Sequence, residues 1–179
     1  IKDSLKLFFP FKRKAVSHAS AGSTSFDGDD YVDLGTALSY TNHTVAGWVN
    51  TQDNSTNGYI LDTRDVNDDG IAIRTIGGGD AMQYGLNGSD LTASASYLNE
   101  WVHIACSYDG TTQKLYINGV LDQSATTSQT ISITTNAIIG ARSFTSQTNY
   151  FLGSLANVGI WSRALSASEI QSVMYKKYA

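Results

Sequence analysis

Cysteine, proline and glutamate are scarce in this chain, which has one Cys, one Pro and two Glu among its 179 residues. Because Cys106 is alone, no disulfide can form within the chain, and the hydrophobic core must hold the fold. Glycoside hydrolysis normally needs two carboxyl groups about 5 to 10 Å apart, and Glu100 and Glu169 are not clustered. No apolar run approaches the roughly 20 residues of a membrane-spanning helix. We therefore predict no disulfide framework, no membrane span and no enzymatic activity.

Positive charge is also scarce outside the ends of the chain. Five of the twelve basic residues lie in the first fourteen positions, and two more close the chain. Residues 15–175 carry five basic and fifteen acidic side chains, a net charge of −10. A body of this sign repels phosphates, so we predict no nucleic-acid partner. The basic segment Lys12-Arg13-Lys14 either contacts an acidic partner or is simply solvated.

The clearest local signal is a β-hairpin. Residues 101–108 and 113–118 predict two adjacent strands, and Asn118-Gly119 joins the second of them to a strand at 120–124. A type I′ turn needs positive φ at both of its central residues, and Asn, Asp and Gly adopt it at low cost. This hairpin supports an interpretation in which short strands alternate with polar turns.

Alternating apolar residues predict a first strand over residues 5–11, followed by a basic and polar link over 12–24. Clusters of Gly, Asn and Asp separate the remaining segments. Their spacing is typical of a two-sheet sandwich. Further strands are predicted at residues 24–33, 43–51, 58–63, 70–76, 81–87, 90–96, 130–133, 137–141 and 151–162.

A short helix is predicted only at the C-terminus, over residues 166–175. Ser166-Ala-Ser-Glu169 is a capping box, in which the serine side chain accepts from the Glu169 N–H and the glutamate reaches back. Ile170, Val173 and Met174 give this helix an apolar stripe that can dock on the sandwich. We predict one domain over residues 1–179 that is all-β, with two antiparallel sheets and this helix.

Several motifs occur in an order that resembles laminin-G-like domains of the concanavalin-A-like lectin and glucanase superfamily, over roughly residues 5–173. They are Phe26-Asp-Gly-Asp-Asp-Tyr-Val-Asp33, Thr44-Val-Ala-Gly-Trp-Val49, Trp101-Val-His-Ile-Ala105, Tyr108-Asp-Gly110, Leu115-Tyr-Ile-Asn-Gly119, Ile139-Gly-Ala-Arg142, and Phe151-Leu-Gly-Ser-Leu155 followed by Trp161-Ser-Arg-Ala-Leu-Ser166. The resemblance implies a jelly-roll sandwich, used mostly as a non-catalytic module that binds glycans, proteins or other surfaces, often with calcium. It also implies an extracellular or virion-surface location, because similar domains occur in adhesins, secreted enzymes and virion proteins.

Aromatic residues supply one candidate binding surface. By strand parity the three tryptophans lie opposite the aliphatic positions and alongside amides, a histidine and a guanidinium, as in a sugar-binding face. The alternative is that these rings are core or edge packing. The predicted ligand-binding residues are Trp48, Asn50, Trp101, His103, Asn157, Trp161 and Arg163, with Tyr40, Tyr59, Tyr84 and Tyr97 as further candidates near turns or strand ends.

Two acidic segments are candidate calcium sites. Asp65, Asn67 and Asp69, followed by Gly70, match the opening half of a calcium loop, but its twelfth position is Ile76 where a bidentate Glu is required. The other candidate comprises Asp27, Asp29 and Asp30. In both segments the alternative is turn formation, in which aspartate side chains bond nearby backbone N–H groups. We predict that no cofactor is required, and calcium is the candidate ion.

Two functional hypotheses follow. The first is a surface-exposed binding or adhesion module, a decoration-type accessory protein of a virion or cell surface that contacts glycans. Its partners would be glycans or host-surface polysaccharide and a capsid or assembly protein, and a homo-oligomer stays open. The second is a free, calcium-assisted carbohydrate-binding lectin module of a secreted protein.

Overall fold

The structure is a computed structural model that describes residues 5–9, 22–52, 57–77, 81–131, 133–143 and 147–176, with residues 5–9 described as backbone alone. Within these residues the chain forms thirteen strands followed by one helix. In chain order they are β1 (Leu5–Phe9), β2 (Thr24–Asp27), β3 (Val32–Asp33), β4 (His43–Thr51), β5 (Gly58–Asp62), β6 (Ile71–Ile76), β7 (Ala81–Leu86), β8 (Ser89–Ser96), β9 (Trp101–Tyr108), β10 (Thr112–Ile117), β11 (Val120–Thr126), β12 (Ile138–Ile139), β13 (Leu152–Trp161) and α1 (Ala167–Met174).

The strands form two antiparallel sheets. The seven-stranded sheet has the order β1-β13-β4-β9-β10-β11, and β2 also pairs with β13. The six-stranded sheet has the order β3-β12-β5-β6-β7-β8. Strands far apart in sequence therefore lie side by side, such as β4 between β13 and β9. The predicted all-β, two-sheet antiparallel jelly-roll sandwich with a short C-terminal helix is confirmed.

The core lies between the two sheets and follows from alternation along each strand. On β4, Val45 and Val49 are buried in the core cluster, and on β6 the same holds for Ile71 and Ile73. Successive side chains of a strand point to opposite faces, so every second residue faces the other sheet. Cys106 belongs to this cluster, and burial raises the pKa of its thiol.

Local turn chemistry is as predicted at the β10–β11 hairpin. Asn118 and Gly119 have φ of 49° and 76°, the two positive values that a type I′ turn requires. The Asn118 side-chain oxygen accepts from the His103 backbone N–H at 2.9 Å, and the Asn118 N–H donates to the His103 carbonyl at 2.8 Å. The turn residue is therefore also bonded to β9.

Helix α1 packs on the outer face of the seven-stranded sheet, where it builds a second, smaller core. Ile170 and Val173 of the helix cluster with Trp161, Tyr116 and Leu165, and with Ala46 and Ala105. Ser166 is the N-cap, and the predicted capping box with Glu169 is present. No helix among the described residues is both long and apolar enough to cross a bilayer.

Several predicted segments differ from the structure or extend outside the described residues, as do residues 10 and 11 of the strand predicted over 5–11. The strand predicted at 24–33 is divided into β2 and β3, because Gly28 adopts a φ of 102° and the chain bends there. No strand forms in the described part of 130–133. The link predicted over 12–24 falls outside the described residues as far as residue 21, and its last residue, Thr24, begins β2.

Candidate functional site

The six-stranded sheet has an outer face that part of the chain covers. On β12, Ile139 belongs to the core cluster, whereas its neighbour Ile138 pairs with Asp33 on one side and Asp62 on the other. Side chains of paired residues share a face, so these three project outward. Ile138 is nevertheless buried, with 3% of its surface exposed. The loops that follow β5 and β12 therefore cover this end of the face.

A cavity of about 290 Å³ opens between these loops over the outer face. Its volume is near the lower limit of small-molecule sites, roughly 300 Å³. Carboxylates, amides and hydroxyls surround two aliphatic side chains, and no described lining residue is cationic. The lining comprises Asp33, Asp65, Val66, Thr135, Asn136, Ile138, Ser143 and Gln147.

The two carboxylates of the cavity are held in place by hydrogen bonds. Asp33 accepts from the Gly35 backbone N–H at 2.8 Å and from the Asn136 side-chain amide at 3.3 Å. Asp65 accepts from the Asn67 backbone N–H at 2.8 Å, which lowers the pKa of its carboxyl. Oxygens that are fixed in this way lose little further freedom when they accept from a ligand hydroxyl.

The wall formed by Ser143 joins the cavity to a buried charged group. The Ser143 backbone N–H donates to Asp62 at 2.8 Å, and its hydroxyl donates to the Arg64 carbonyl at 2.9 Å. Asp62 is fully buried and accepts from Arg64 Nε at 2.8 Å. Burial raises the pKa of the Asp62 carboxyl, although the guanidinium opposes the shift. This ion pair fixes the base of the loop that carries Asp65.

Three arginines gather around the ring of Tyr59 beside the cavity. The guanidinium carbons of Arg64, Arg74 and Arg142 lie 5.1, 5.5 and 5.9 Å from the ring centroid. Arg64 Nη2 and Arg74 Nη1 both donate to the Tyr59 hydroxyl at 2.7 Å. Arg74 Nε also donates to the side-chain oxygen of Gln83 at 2.6 Å. We call this group, Tyr59 with Arg64, Arg74 and Arg142, the arginine cluster.

The predicted tryptophan face lies on the other sheet, where the helix covers its centre. Trp161 is 2% exposed and packs against α1, so its ring cannot stack on a sugar while the helix is docked. His103 is 3% exposed, and burial lowers its pKa to about 4. Its ring meets that of Trp48 edge-on, with centroids 5.5 Å apart. Strand parity does not reveal what covers a face, so the burial of Trp161 and His103 was not foreseen, and a ligand role for them stays a prediction.

The remaining predicted ligand residues are half-buried, and two of them contact the same helix. Trp48 donates to the backbone of Met174, and Arg163 forms a bidentate pair with Glu169 at 2.6 and 2.9 Å. Asn50 and Trp101 face each other on paired strands β4 and β9. Asn157 has a φ of 51° at an irregularity in the β13–β4 pairing. Trp48 and Arg163 thus have structural partners, and a ligand role for this group stays a proposal.

The loop carrying Asp65, Asn67 and Asp69 is a turn closed by its own side chains. Asp65 accepts from the backbone N–H groups of Asn67 and Asp69 at 2.8 and 3.1 Å, and from the Asn67 amide at 3.4 Å. Asp68, between them, has a φ of 67° and pairs with Arg64 at 2.8 Å. These bonds match the turn-forming alternative and place Asp65 on the cavity wall.

Asp27, Asp29 and Asp30 do come together. They form the one group of three or more acidic, His or Cys side chains, among the described residues, whose ligating atoms lie within 4.8 Å of one another. All three side chains are exposed. A hydrogen bond between Asp27 and Asp29 lowers the pKa of the first and raises that of the second. The cluster is open to solvent, and a calcium role here stays a proposal.

A family model described as the concanavalin A-like lectin/glucanases superfamily matches residues 26–171 of the sequence. The chain belongs to this superfamily. The predicted resemblance is therefore confirmed over most of the chain. Comparison with curated protein sequences gives no significant match.

Solved structures of lectin-like jelly rolls share this superfamily fold at low sequence identity. A SAP-like pentraxin from Limulus polyphemus superposes with a TM-score of 0.69 and 17% identity, covering 85% of this chain and 81% of the pentraxin. The CBM40 of a Ruminococcus gnavus sialidase, solved with α2,3-sialyllactose, gives 0.71 and 16%, covering 85% and 95%. A botulinum neurotoxin C/D receptor-binding domain gives 0.71 and 16%, covering 97% of this chain and 51% of that one.

The lectin-like fold places together residues that the sequence alone leaves scattered. The cavity and the arginine cluster draw on residues 33, 59–66, 74, 135–143 and 147, which no local pattern connects. Of these residues, Tyr59 was predicted as an aromatic ligand-binding candidate and Asp65 as a candidate calcium ligand. The sequence did contain one indication of the arginine cluster, because Arg64, Arg74 and Arg142 are three of only five basic residues within the acidic segment 15–175.

Proposed function

We propose that this domain is a non-catalytic glycan-binding module and that the 290 Å³ cavity on the outer face of the six-stranded sheet holds a sugar ring. The observation that carries the proposal is the composition of the cavity, with fixed carboxylates and amides around an aliphatic floor. Sugars present hydroxyl groups at their edges and C–H patches on their faces, so they match such a lining.

The polar side chains of the cavity would form different hydrogen bonds with the sugar. Asp33 and Asp65 accept from sugar hydroxyls, while the amides of Asn136 and Gln147 both donate and accept. Val66, which is 73% exposed, supplies most of the apolar surface for the ring, and the buried Ile138 lies beneath it. Because two carboxylates line the cavity without a described cation, the ring held there is uncharged.

Similar proteins support a glycan ligand. The CBM40 of Ruminococcus gnavus was solved with sialyllactose, and cell entry of botulinum neurotoxin type C depends on interaction with two ganglioside molecules. That toxin chain superposes with a TM-score of 0.60 and 15% identity, covering 85% of this chain and 41% of its own. These structures establish a shared fold, and the ligand class is transferred here as a proposal.

The binding site is tested with variants that keep the loops intact. Asn136→Ala and Gln147→Ala remove amides that are exposed or half-buried, so the fold should tolerate them. A glycan array followed by calorimetry should show retention by the wild type and at least a tenfold loss in the double variant. Thr126→Ala, an exposed residue on β11, is the control. Glycan binding that is unchanged in the double variant would remove the cavity from the proposal.

We further propose an extracellular or surface-exposed role, as a decoration-type protein of a virion or cell envelope. The acidic body and the basic segment Lys12-Arg13-Lys14 support it, because opposite charges on one chain suit docking on an assembly while the body faces outward. Deleting the N-terminus would also remove β1, so the test replaces the three basic residues with glutamine. Pull-down of capsid or envelope protein should then weaken, and unchanged capture would contradict a role for this segment.

Calcium assistance is the second part of the alternative lectin hypothesis. The oxygen ligands that calcium prefers are present in Asp27, Asp29 and Asp30. This group supports calcium binding better than the Asp65 loop does, because its ligating atoms lie within 4.8 Å of one another. A calcium titration by calorimetry should show heat that Asp29→Asn removes. If the titration gives no heat and calcium does not raise the melting temperature, the calcium proposal is contradicted.

A further inference from the structure

We infer that the arginine cluster is a subsite for an anionic group, carboxylate or sulfate, on the glycan whose uncharged ring occupies the neighbouring cavity. This inference rests on the proposed function and names its ligand class as acidic oligosaccharides. Positive charge within residues 15–175 is concentrated at this cluster. Residues 15–175 contain five basic side chains against fifteen acidic ones, and three of the five surround Tyr59.

The cluster is rigid at its base and accessible at its edge. Arg64 is 5% exposed and is fixed by the fully buried Asp62, with the Tyr59 hydroxyl as a further acceptor. The side chains of Arg74 and Arg142 are 16% and 29% exposed. A ligand therefore reaches Arg74 and Arg142, while Arg64 and Tyr59 hold them in position.

Arg74 presents donors beyond those that it uses within the protein. Its described contacts are Nε to Gln83, Nη1 to Tyr59 and Nη2 to Asp90 at 3.1 Å. A guanidinium has five N–H donors in a planar fork, so three contacts from three nitrogens leave two donors for a ligand. A fork of this kind matches the two oxygens of a carboxylate or sulfate.

The carboxylate that neutralises Arg74 is itself exposed. Asp90 pairs with Arg74 at 3.1 Å and is 38% exposed, so this ion pair is weak and an incoming anion can exchange with Asp90 at little cost. Asp68 is 53% exposed, but it pairs with the buried Arg64 at 2.8 Å as well as with Arg142 at 3.4 Å, and it stays in place. Asp62 is buried, accepts hydrogen bonds from Arg64 Nε and from the Ser143 backbone N–H, and also stays in place.

The cluster and the cavity are connected by hydrogen bonds through Asp62 and have opposite character. Ser143 lines the cavity and donates to Asp62, which pairs with Arg64 of the cluster. Carboxylates line the cavity and guanidinium groups form the cluster. One oligosaccharide with an uncharged ring and an anionic group is therefore the ligand that satisfies both.

The test uses three glycans that share a lactose core, on one array and then in solution. They are lactose itself, 3′-sialyllactose, which adds a sugar bearing a carboxylate, and 3′-sulfated lactose, which adds only a sulfate. We expect the wild type to prefer the acidic members at least tenfold over lactose. Arg74→Gln should abolish the preference and leave the binding of neutral glycans unchanged. Lys114→Gln is the control. It removes a positive charge from β10, and it should change neither the preference for acidic glycans nor the binding of neutral ones.

Asp90→Asn keeps the inference testable if Arg74→Gln fails to fold. Removing the competing carboxylate should strengthen binding of both acidic probes several-fold and leave neutral glycans unaffected. Equal retention of acidic and neutral glycans by the wild type, or an Asp90→Asn variant without the gain, overturns the anionic subsite and leaves the proposed glycan function standing. No retention of any glycan defeats both proposals.

Discussion

Trp48 donates its indole N–H to the carbonyl oxygen of Met174, the last residue of α1, over 3.1 Å. A helix leaves its final carbonyl groups without partners inside the helix, so this bond satisfies one of them from strand β4. Trp48, which sequence parity assigned to a sugar-binding face, thus connects the sheet to the C-terminal helix.

Trp48→Phe should therefore weaken helix docking. Phenylalanine keeps an aromatic ring beside His103 but has no N–H to donate. We expect the free energy of unfolding to fall by about 1 kcal/mol, and amide hydrogens of α1 should exchange faster. Tyr31→Phe, at an aromatic ring that is 46% exposed, is the control for urea unfolding. Unaltered exchange across the helix would show that the bond does not hold it.

Acid should destabilise the fold through two buried histidines. Burial lowers the pKa of His43 and His103 from 6.5 to about 4, so the folded protein keeps them neutral where the unfolded chain binds protons. Stability is therefore complete above pH 6.5 and falls as the pH drops toward 4, by on the order of 3 kcal/mol per histidine. Glu169, with a pKa of about 2, acts mainly below this window.

His103→Phe separates the two contributions. The variant keeps a ring against Trp48 and removes both the titration and a buried Nδ1 that has no hydrogen-bond partner among the described residues. We expect stability near that of the wild type at pH 7 and about half the loss between pH 6.5 and 4, measured by urea unfolding. An unchanged pH slope would contradict the buried, neutral state of His103.

Gly140 and Gly88 test the close packing of the fold. Both have positive φ, 91° and 79°, so alanine is strained at either position. A Cβ at Gly140 would lie 2.5 Å from the Phe26 ring, whereas one at Gly88 would meet nothing within 4 Å. We expect Gly88→Ala to cost about 1 kcal/mol and Gly140→Ala roughly 2–4 kcal/mol, by urea unfolding. Equal losses would mean that the Phe26 ring moves aside freely.

Local chemistry explains which parts of the fold were predictable. The Asn118-Gly119 turn and the Ser166 capping box depend on neighbouring residues, so the sequence alone identified both. Parity also placed Trp48 and Trp161 correctly on the outer side of their strands. That α1 would cover this side depends on tertiary packing, which no periodicity within a strand reports.

The candidate site was less predictable because its parts come from distant segments. Asp33 and Asn136 are 103 positions apart, yet their side chains are hydrogen-bonded to each other in the wall of the cavity. Arg74 and Arg142 meet at Tyr59 only because β5 lies beside β6 and because the chain returns to this face after β12. Only the pairing of strands distant in the sequence brings these groups together.

The most direct test of the glycan site is a ¹H–¹⁵N NMR titration of the wild type with glycans selected by the array. Binding in the cavity predicts shifts at the amides of Asp33, Asn136 and Ser143, with the indole signals of Trp48 and Trp161 unmoved. Shifts confined to those indoles and to α1 would contradict the account, because they would place the ligand on the opposite sheet.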